Sequence, residues 1–313
     1  SGIDVKNVGC GPTPMLYYAT HELATDAGIM ITGSHNPPNY NGLKFVLTGK
    51  PFFGADIQNL GKRVEVGDFH GGLGSATKHN LESRYIGRLL QDFSGKKELS
   101  VVWDPGNGSS GEIVQELIKH LPGKHFLINE KIDGNFPAHH PDPTVESNLR
   151  QLKNLVIKNG CDLGIGFDGD GDRIGLIDSK GRVLWGDQIL ILLARDVLKN
   201  KPGETIIADV KASKVFFDEI TKAGGKPVMW AAGHSLIKSK MLEINSPLAG
   251  EMSGHIFFAD KYFGYDDAIY AAIRLLTILS HSDKSLTEMH DDLPKMLNTP
   301  ELRIDCPEER KFD

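Results

Sequence analysis

The sequence predicts an α/β protein with largely parallel sheets, built from successive α/β units. Two observations predict this class. Short apolar segments that suit strands alternate with longer segments that suit helices, and such alternation is the pattern of β-α-β units. The alternation also starts afresh near residue 99 and again near residue 188. These restarts indicate three α/β units along the chain.

The first unit holds two predicted strands. Ile29–Thr32 is short and apolar, and Leu43–Leu47 directly follows an Asn-Gly pair. Because Asn-Gly favours the tight turns of hairpins, we expect Leu43–Leu47 to belong to a hairpin. We also expect linkers at Gly67–Asn80, which contains glycine, serine and histidine, and in the region after Asp283.

From residue 99 onward, strand and helix segments follow one another with turn residues between them. Leu99–Trp103 ends at an Asp-Pro-Gly-Asn-Gly run, and a Lys-Gly turn separates Arg173–Asp178 from Arg182–Trp185. Such runs interrupt regular structure. Tyr265–Leu279 carries an apolar stripe at helical spacing, which predicts a helix. The other predicted elements are the strands Asp162–Phe167, Glu204–Val210 and Lys226–Trp230 and the helices Glu112–His120, Gln188–Asn200, Lys214–Ala223 and His234–Glu243.

The composition excludes several classes of function. Of the residues, 40% are hydrophobic and 24% are charged, which is typical of globular proteins. The length of 313 residues by itself suggests about two domains. No apolar run approaches the roughly 18 residues that span a bilayer, and the net charge of −6 argues against a nucleic-acid partner. The three cysteines are far apart, so we expect no disulfide scaffold and a cytoplasmic location.

The acidic segment Asp168–Arg173, with the sequence Asp-Gly-Asp-Gly-Asp-Arg, indicates a metal site. On an extended backbone, carboxylates at every second position point to one side. Such close carboxylates repel one another unless a cation lies among them. Oxygen ligands favour a hard ion, Mg²⁺ first and Mn²⁺ or Ca²⁺ next. We therefore predict that Asp168, Asp170 and Asp172 hold a metal ion, with a solvated acidic turn as the alternative.

Two other interpretations of this segment fail. An EF-hand needs glycine at its sixth position and glutamate at its twelfth, whereas the chain has Arg173 and Ser179 there. The segment Gly164–Gly169 matches the glycine pattern of dinucleotide-binding loops, but a strand follows it and three carboxylates would repel a pyrophosphate.

The segment Thr32–Pro38 presents one hydroxyl, that of Ser34. Because Asn36 precedes a proline, it is driven away from the helical region, and we expect a stiff, extended loop. Taken alone, a turn serine would be the commoner interpretation. Beside a metal site, Ser34 suits a phosphoryl carrier, since a phosphoserine carries nearly two negative charges. Lys44 in the next predicted strand could supply positive charge for the transfer.

The segment Glu251–His255 is a weaker candidate, because a surface turn would have the same composition. On an extended backbone Glu251 and Ser253 face the same way, and a carboxylate beside a hydroxyl suits two adjacent sugar hydroxyls. His255 lies on the same predicted face and could move protons near pH 7.

Taken in this order, the three segments resemble the loops of the α-D-phosphohexomutases, above all those of the bacterial phosphomannomutase/phosphoglucomutase branch. The resemblance covers nearly the whole chain. Further matching stretches are Pro12–Pro14, Gly134–Pro137, His139–Pro143, Gly233–Lys238 and Phe263–Asp267. It implies successive three-layer α/β domains with mixed, largely parallel sheets. It also implies four parts: the end of a first domain over residues 1–80, a second domain over 81–182, a third over 183–294, and a linker with the stub of a fourth over 295–313.

The resemblance also implies a role for each candidate residue. Ser34 matches the serine that is phosphorylated and that ligates the metal through its phosphate, and Asp168, Asp170 and Asp172 match the Mg²⁺ ligands. Lys44 matches a lysine placed for proton transfer or charge stabilisation, and Arg173 matches a neighbour that orients the phosphoryl group. Glu251 and Ser253 match contacts to the sugar hydroxyls, and His255 matches an acid/base or substrate contact. Lys211 and His234 match residues that line the substrate cleft, with a structural role as the alternative. The neighbours His139 and His140 point apart, so we expect a structural loop there rather than a metal pair.

The implied reaction is a reversible transfer of a phosphoryl group between C1 and C6 of mannose or glucose phosphates. It passes through a phosphoserine and a bisphosphorylated sugar, so that glucose 1,6-bisphosphate or mannose 1,6-bisphosphate acts as activator. Met252 fits this branch better than the glucosamine mutases, and we expect a monomer or weak dimer. The alternatives are a phosphoglucosamine mutase, a metal-dependent phosphatase with a phosphoserine intermediate, and a non-catalytic module that binds sugar phosphates.

The resemblance sets one further expectation. Family members carry more of the first domain and a fourth-domain loop that grips the non-transferred phosphate. Neither is recognisable in these residues, so we expect little mutase turnover from them alone.

Overall fold

The computed structural model describes residues 2–47, 50–295, 306–307 and 310. Its first elements form a parallel strand pair and an antiparallel three-stranded sheet of order β2-β3-β4. They are β1 (Val5–Asn7), α1 (Thr13–Glu22), β2 (Ala27–Ile31), β3 (Leu43–Leu47), β4 (Lys50–Pro51), α2 (Ala55–Glu65) and β5 (Ala76–Lys78). The predicted strand Leu43–Leu47 is confirmed, but it pairs with β2 across a long loop over 32–42 rather than a tight Asn-Gly turn. The predicted linker Gly67–Asn80 contains β5, which pairs with β1.

The middle elements build a five-stranded sheet of order β10-β9-β8-β6-β7. They are α3 (Glu82–Leu90), β6 (Leu99–Asp104), α4 (Gly111–Leu117), β7 (Gly123–Leu127), α5 (Arg150–Asn159), β8 (Leu163–Phe167), β9 (Ile174–Asp178) and β10 (Val183–Leu184). β6 is parallel to both neighbours, whereas β9 is antiparallel to β8 and β10. The predicted helix Glu112–His120 is split, because α4 stops at Leu117 and a 3₁₀ turn follows over Ile118–His120.

The last elements build a four-stranded sheet of order β12-β11-β13-β14, in which only β14 is antiparallel. They are α6 (Gly186–Asn200), β11 (Thr205–Asp209), α7 (Lys214–Lys222), β12 (Lys226–Trp230), α8 (His234–Ile244), β13 (Leu248–Gly250), β14 (Ile256–Phe258), α9 (Ala268–Ser280) and α10 (Leu286–Asp291). The predicted helix at Tyr265 begins three residues later, because Asp267 caps α9 by accepting a hydrogen bond from the Tyr270 N–H. The predicted linker after Asp283 holds α10, which begins with a capping box between Ser285 and Glu288.

The prediction of an α/β protein with mixed sheets is confirmed. The predicted fourth-domain stub over 295–313 lies almost wholly outside the described residues. In the part of the chain that the structure covers, no helix is long and apolar enough to cross a membrane.

The helix α9 explains how the middle and last groups of elements are held together. Every residue of α9 from Ala268 to Leu276 is buried, as expected of a helix that is covered on all sides. α9 contacts α3, α6, β9 and β14, so elements of the middle and last groups share one hydrophobic core.

A buried carboxylate, Asp267, ties these groups together. Its Oδ2 accepts hydrogen bonds from the hydroxyls of Tyr85 on α3 and Tyr262, each at 2.9 Å. Burial raises the pKa of Asp267 to about 7, although these donors and the Tyr270 N–H act in the opposite direction. The folded protein therefore binds a proton at Asp267 over a pH range in which the unfolded chain, with the ordinary value of 3.8, does not.

We expect this proton to make stability depend on pH. Between about pH 4 and pH 7 the folded state binds more protons at Asp267 than the unfolded state does, so the contribution of Asp267 to the free energy of unfolding falls as pH rises. From pH 5 to pH 8 this loss should reach about 2 kcal/mol. Urea denaturation at both pH values should show a smaller loss in Asp267→Asn than in the wild type. The exposed carboxylate variant Asp283→Asn is the control, and an equal loss in all three proteins would contradict the prediction.

Candidate active site

Three loops meet at the carboxyl ends of strands β2, β8 and β13. The loops after β8 and β13 join through an antiparallel bridge between Arg173 and His255, and the Ile174 N–H donates to the Gly254 carbonyl at 3.0 Å. The serine loop after β2 reaches the acidic loop where a Cβ on Gly169 would collide with the Ser34 carbonyl oxygen. Glycine is therefore required there for the two loops to approach.

The acidic loop is a tight turn and not the extended segment that we predicted. The Gly171 N–H donates to the Asp168 carbonyl at 3.2 Å, and Gly171 has a φ of +73°, which favours glycine. The turn still brings the predicted carboxylates of Asp168, Asp170 and Asp172 together. One oxygen atom of each lies within 4.8 Å of the others, and all three residues are buried. The convergence therefore comes from a turn rather than from strand alternation.

The charges of this trio show a strong local imbalance. Burial and the neighbouring charges of Asp172 and Asp170 hold the pKa of Asp168 well above its ordinary value. The pKa of Asp172 lies well below its ordinary value, because Lys44 and His255 outweigh the opposite effect of burial. A carboxyl group that resists ionisation beside two others is the expected signature of a site that lacks enough positive charge.

The donor set of the trio fits a hard metal ion. The Oδ1 atom of Asp170 is buried and has no hydrogen-bond partner among the described residues, whereas the Oδ1 atom of Asp172 lies 3.2 Å from His255 Nε2. A buried polar atom without a partner is costly, so Asp170 Oδ1 calls for a cation. An all-oxygen donor set favours Mg²⁺ over softer metals.

Lys44 lies against the same trio. Its Nζ is 2.7 Å from Asp170 Oδ2 and 2.5 Å from Asp172 Oδ2. These carboxylates hold the pKa of Lys44 well above its ordinary value despite burial. Lys44 is therefore held as an ammonium ion, which can stabilise negative charge.

Ser34 points its hydroxyl at the trio from the serine loop. Its Oγ donates to Asp168 Oδ2 at 3.0 Å and lies 3.1 Å from His35 Nδ1. The loop is not extended as we predicted. It makes two tight turns, closed by the N–H groups of Asn36 and Tyr40, and Ser34 adopts a φ of +53°. A non-glycine residue in this region is uncommon and is often found at functional sites.

The loop Glu251–His255 is also a turn rather than an extended segment. Gly254 has a φ of +92°, and its N–H donates to the Glu251 carbonyl at 3.0 Å. The turn still brings Glu251, Ser253 and His255 together, with His255 Nδ1 2.9 Å from Glu251 Oε2 and 3.0 Å from Ser253 Oγ. Glu251 is buried, and its Oε1 accepts from the Gly233 N–H at 2.6 Å.

The expectation that His255 moves protons near pH 7 is not supported by its surroundings. His255 Nε2 lies 3.2 Å from Asp172 Oδ1, so the ring stands between two carboxylates. Although burial alone would lower it, Asp172 and Glu251 raise the pKa of His255 to about 10. In this arrangement the ring is a fixed positive charge at neutral pH.

Arg173 joins the three loops. Its Nη1 lies 3.4 Å from His35 Nε2, and its Nε lies 3.3 Å from His255 Nε2. The guanidinium thus stands between the serine loop and the Glu251–His255 loop, where it can contact a group that passes between them.

The two predicted cleft residues lie in different surroundings. His234 is the first residue of α8, and its ring stacks on that of His255 with centroids 5.8 Å apart. Lys211 lies exposed after β11. Its charge acts on the buried carboxylate of Asp209, whose pKa is raised by burial and by Glu251. His234 therefore lies next to His255, which contacts the acidic trio, whereas Lys211 lies at the edge of the site.

Four residues of the site were not predicted individually. Thr13 Oγ1 donates to Asp170 Oδ2 at 2.6 Å, His35 contacts Ser34, and Lys238 and Asp266 form a buried ion pair at 2.9 Å. The only signal for three of them was their place in stretches that resemble the family, at Pro12–Pro14, Gly233–Lys238 and Phe263–Asp267. No local spacing connects these stretches to the acidic loop.

The histidine pair at His139 and His140 behaves as a structural loop. His139 Nε2 lies 2.9 Å from Asp104 Oδ2, and the His140 ring packs edge-on against His35 with centroids 6.4 Å apart. The two side chains have separate partners, as expected for neighbours that point apart.

Comparison with known proteins gives consistent matches over the chain. Three family profiles match, described as the alpha/beta/alpha domains I, II and III of phosphoglucomutase/phosphomannomutase, at residues 1–70, 83–181 and 185–297. The chain is 44% identical to the phosphomannomutase/phosphoglucomutase of Pseudomonas aeruginosa over 311 residues, which covers 99% of this chain and 67% of that protein. It is 42% identical to the phosphoglucomutase of Neisseria gonorrhoeae over 311 residues, which covers 98% of this chain and 67% of that protein.

Solved structures show the same fold. A phosphoglucomutase/phosphomannomutase family protein from Burkholderia thailandensis superposes with a TM-score of 0.91 at 39% identity, over 95% of this chain and 66% of that one. A putative phosphomannomutase from Thermus thermophilus shares the fold with a TM-score of 0.82 at 23% identity, over 92% of this chain and 68% of that one. The chain thus spans about two thirds of the length of these relatives.

Proposed function

This chain belongs to the phosphoglucomutase/phosphomannomutase family, and we propose that its three loops carry out phosphoryl transfer between C1 and C6 of mannose and glucose phosphates. Enzymes of this kind are isomerases, since the phosphoryl group only changes position. One observation supports the assignment of these loops as the site of phosphoryl transfer. The hydroxyl of Ser34 lies 3.0 Å from one of three buried, converging carboxylates and faces a site that Lys44 also contacts.

Asp168, Asp170 and Asp172, together with a phosphate on Ser34, would hold Mg²⁺. When bound, this ion supplies positive charge that offsets the phosphate oxygens. Thr13 supports the trio because its hydroxyl and N–H both bond Asp170. Lys44 keeps its charge beside the same carboxylates, so it can stabilise the charge that spreads over the phosphoryl oxygens during transfer.

The transfer exchanges one oxygen for another on phosphorus. In the forward step the bond from phosphorus to Ser34 Oγ breaks, and a bond to the sugar hydroxyl oxygen forms. The sugar hydroxyl loses its proton in this step and Ser34 Oγ gains one to end as a hydroxyl, so the protons balance. His35 Nδ1, 3.1 Å from Ser34 Oγ, can hold or move the proton on that side. Burial and the charge of Arg173 lower the pKa of His35, which suits a ring that is neutral between transfers.

The Glu251–His255 loop serves the sugar. Glu251 and Ser253 bind the 3- and 4-hydroxyls, which have the same configuration in glucose and mannose, so the two epimers at C2 can both be accepted. The positive charges of His255 and Arg173 lie between this loop and the serine loop. They can therefore hold a sugar phosphate while the bisphosphorylated intermediate reorients.

A coupled assay on mannose 1-phosphate and glucose 1-phosphate tests the function. We expect the protein at the full length of its relatives to convert both to 6-phosphates, with a requirement for Mg²⁺ and stimulation by glucose 1,6-bisphosphate. The 313 residues alone are the comparison, and we expect little turnover from them. Steady release of inorganic phosphate without isomerisation would instead support a phosphatase.

A further inference from the structure

Asp266 is a buried carboxylate beside the site whose role the proposed mechanism leaves open. It is completely buried and forms a backbone bridge with Phe257. The next residue, Asp267, caps α9. The backbone of Asp266 is therefore fixed on both sides, and its carboxylate cannot move far.

One oxygen of Asp266 is fully engaged. Oδ1 accepts from Lys238 Nζ at 2.9 Å, and the Lys238 ammonium also lies 4.5 Å from the centre of the Tyr17 ring on α1. Burial alone would raise the pKa of Asp266, but Lys238 and, to a smaller extent, neighbouring groups that include His255 hold it below its ordinary value, so Asp266 stays ionised. Asp266 is thus an anchored, charged acceptor.

The other oxygen faces His234. Asp266 Oδ2 and His234 Nδ1 are 3.6 Å apart, and both atoms are buried without a hydrogen-bond partner among the described residues. A separation of 3.6 Å is too long for a hydrogen bond, but bonds at active sites often tighten only when substrate is present. A proton on Nδ1 would satisfy both atoms, and leaving both unsatisfied would be costly.

The ring of His234 is neutral, so it carries a single proton on one of its two nitrogen atoms. Burial lowers the pKa of His234 to about 4, and the N-terminus of α8 also disfavours a positive charge there. A neutral imidazole carries one N–H and one acceptor nitrogen. Nδ1 is buried although the side chain is 33% exposed, so the exposed part of the ring is the edge away from Asp266.

From these contacts we propose that Asp266 is a positioning residue: it holds the proton of His234 on Nδ1 and so presents Nε2 as a hydrogen-bond acceptor on the exposed edge of the ring. This inference rests on the proposed function, because the group that donates a hydrogen bond to Nε2 is a hydroxyl of the sugar. The stacking of His234 on His255 places that acceptor beside the Glu251–His255 loop.

The position of the proton can be measured directly. In the protein labelled with ¹⁵N-histidine, long-range proton–nitrogen correlation distinguishes the two neutral forms of each ring, and the variant His234→Gln identifies the signal of His234. We expect Nδ1–H in the wild type. In Asp266→Asn the amide can present an N–H to Nδ1, so we expect the proton on Nε2. The variant Glu243→Gln, on the same helix, should leave the wild-type form.

A wild-type ring with its proton on Nε2 would overturn the proposal, and this spectrum decides the point even where Asp266→Asn fails to fold. An unchanged ring in a folded Asp266→Asn would also overturn it. These spectra need no turnover, so they stand apart from the mutase assay that tests the proposed function.

Kinetics give a second readout in the coupled assay. Asp266→Asn should lower kcat/KM by roughly 10- to 100-fold, the range for residues that orient an active group. In a His234→Gln background the same change should cost less than about threefold, because the ring through which Asp266 acts is gone. Equal losses in both backgrounds would show that Asp266 acts without His234 and would overturn the proposal.

Discussion

The change Ser34→Ala should remove the phosphoenzyme and lower mutase turnover by on the order of 1,000-fold or more, as loss of a covalent nucleophile does in other enzymes. The reason is positional. The Ser34 hydroxyl is the one that the structure directs at Asp168, at 3.0 Å. The serine also sits at a φ of +53° that fixes the direction of its side chain. Alanine keeps the loop and deletes the acceptor oxygen.

Intact-mass measurement after incubation with glucose 1,6-bisphosphate and Mg²⁺ checks this result. The wild type should gain about 80 Da for one phosphoryl group, and Ser34→Ala should gain nothing. The control is Ser239→Ala, because the Ser239 hydroxyl bonds the Ser235 carbonyl within α8, and it should gain the same mass as the wild type. An adduct that persists in Ser34→Ala would assign the phosphoryl group to another residue.

The change Asp170→Asn should weaken Mg²⁺ binding by about 100-fold, because affinity for hard cations depends on the number of charged oxygen ligands. The fold should be kept. The Asp170 side chain accepts hydrogen bonds from Thr13 at 2.6 Å and from Lys44 at 2.7 Å through Oδ2, and the amide oxygen of asparagine can still accept them. The loss is therefore one of charge rather than of shape.

Calorimetric titration with MgCl₂ measures this affinity, and a thermal melt checks the fold. Asp162→Asn is a matched control, since Asp162 lies at the opposite end of β8 and bonds Ser100. It should bind Mg²⁺ as the wild type does. An unchanged affinity in Asp170→Asn would mean that the trio is not the metal site.

The elements of the fold that could be predicted are those with local signals. The strands at Leu43–Leu47 and Leu99–Trp103 and the helix Gln188–Asn200 follow from apolar runs and the turn residues around them. The helix α1 was not predicted, because Pro14 within its first turn is tolerated there but is also typical of loops. The helix α2 was not predicted either, and no residue of it is buried.

The loop geometry could not be predicted in the same way. All three functional loops were expected to be extended, and all three turn, through positive φ angles at Ser34, Gly171 and Gly254. The side chains do cluster, but the cause is a turn and not the alternation of side chains along an extended segment. A turn and a strand can bring the same oxygen atoms together, and residue types alone do not distinguish them.

What the sequence by itself determined is the α/β class, the acidic trio and the serine loop, because the signal for each lies in a short run of neighbouring residues. Only the tertiary structure decided which distant groups complete the site. Thr13 bonds Asp170 across 157 residues, Lys44 reaches Asp172 across 128, and Asp266 stands 3.6 Å from His234. Such contacts depend on how sheets and helices pack against one another, and local periodicity carries no information about that packing.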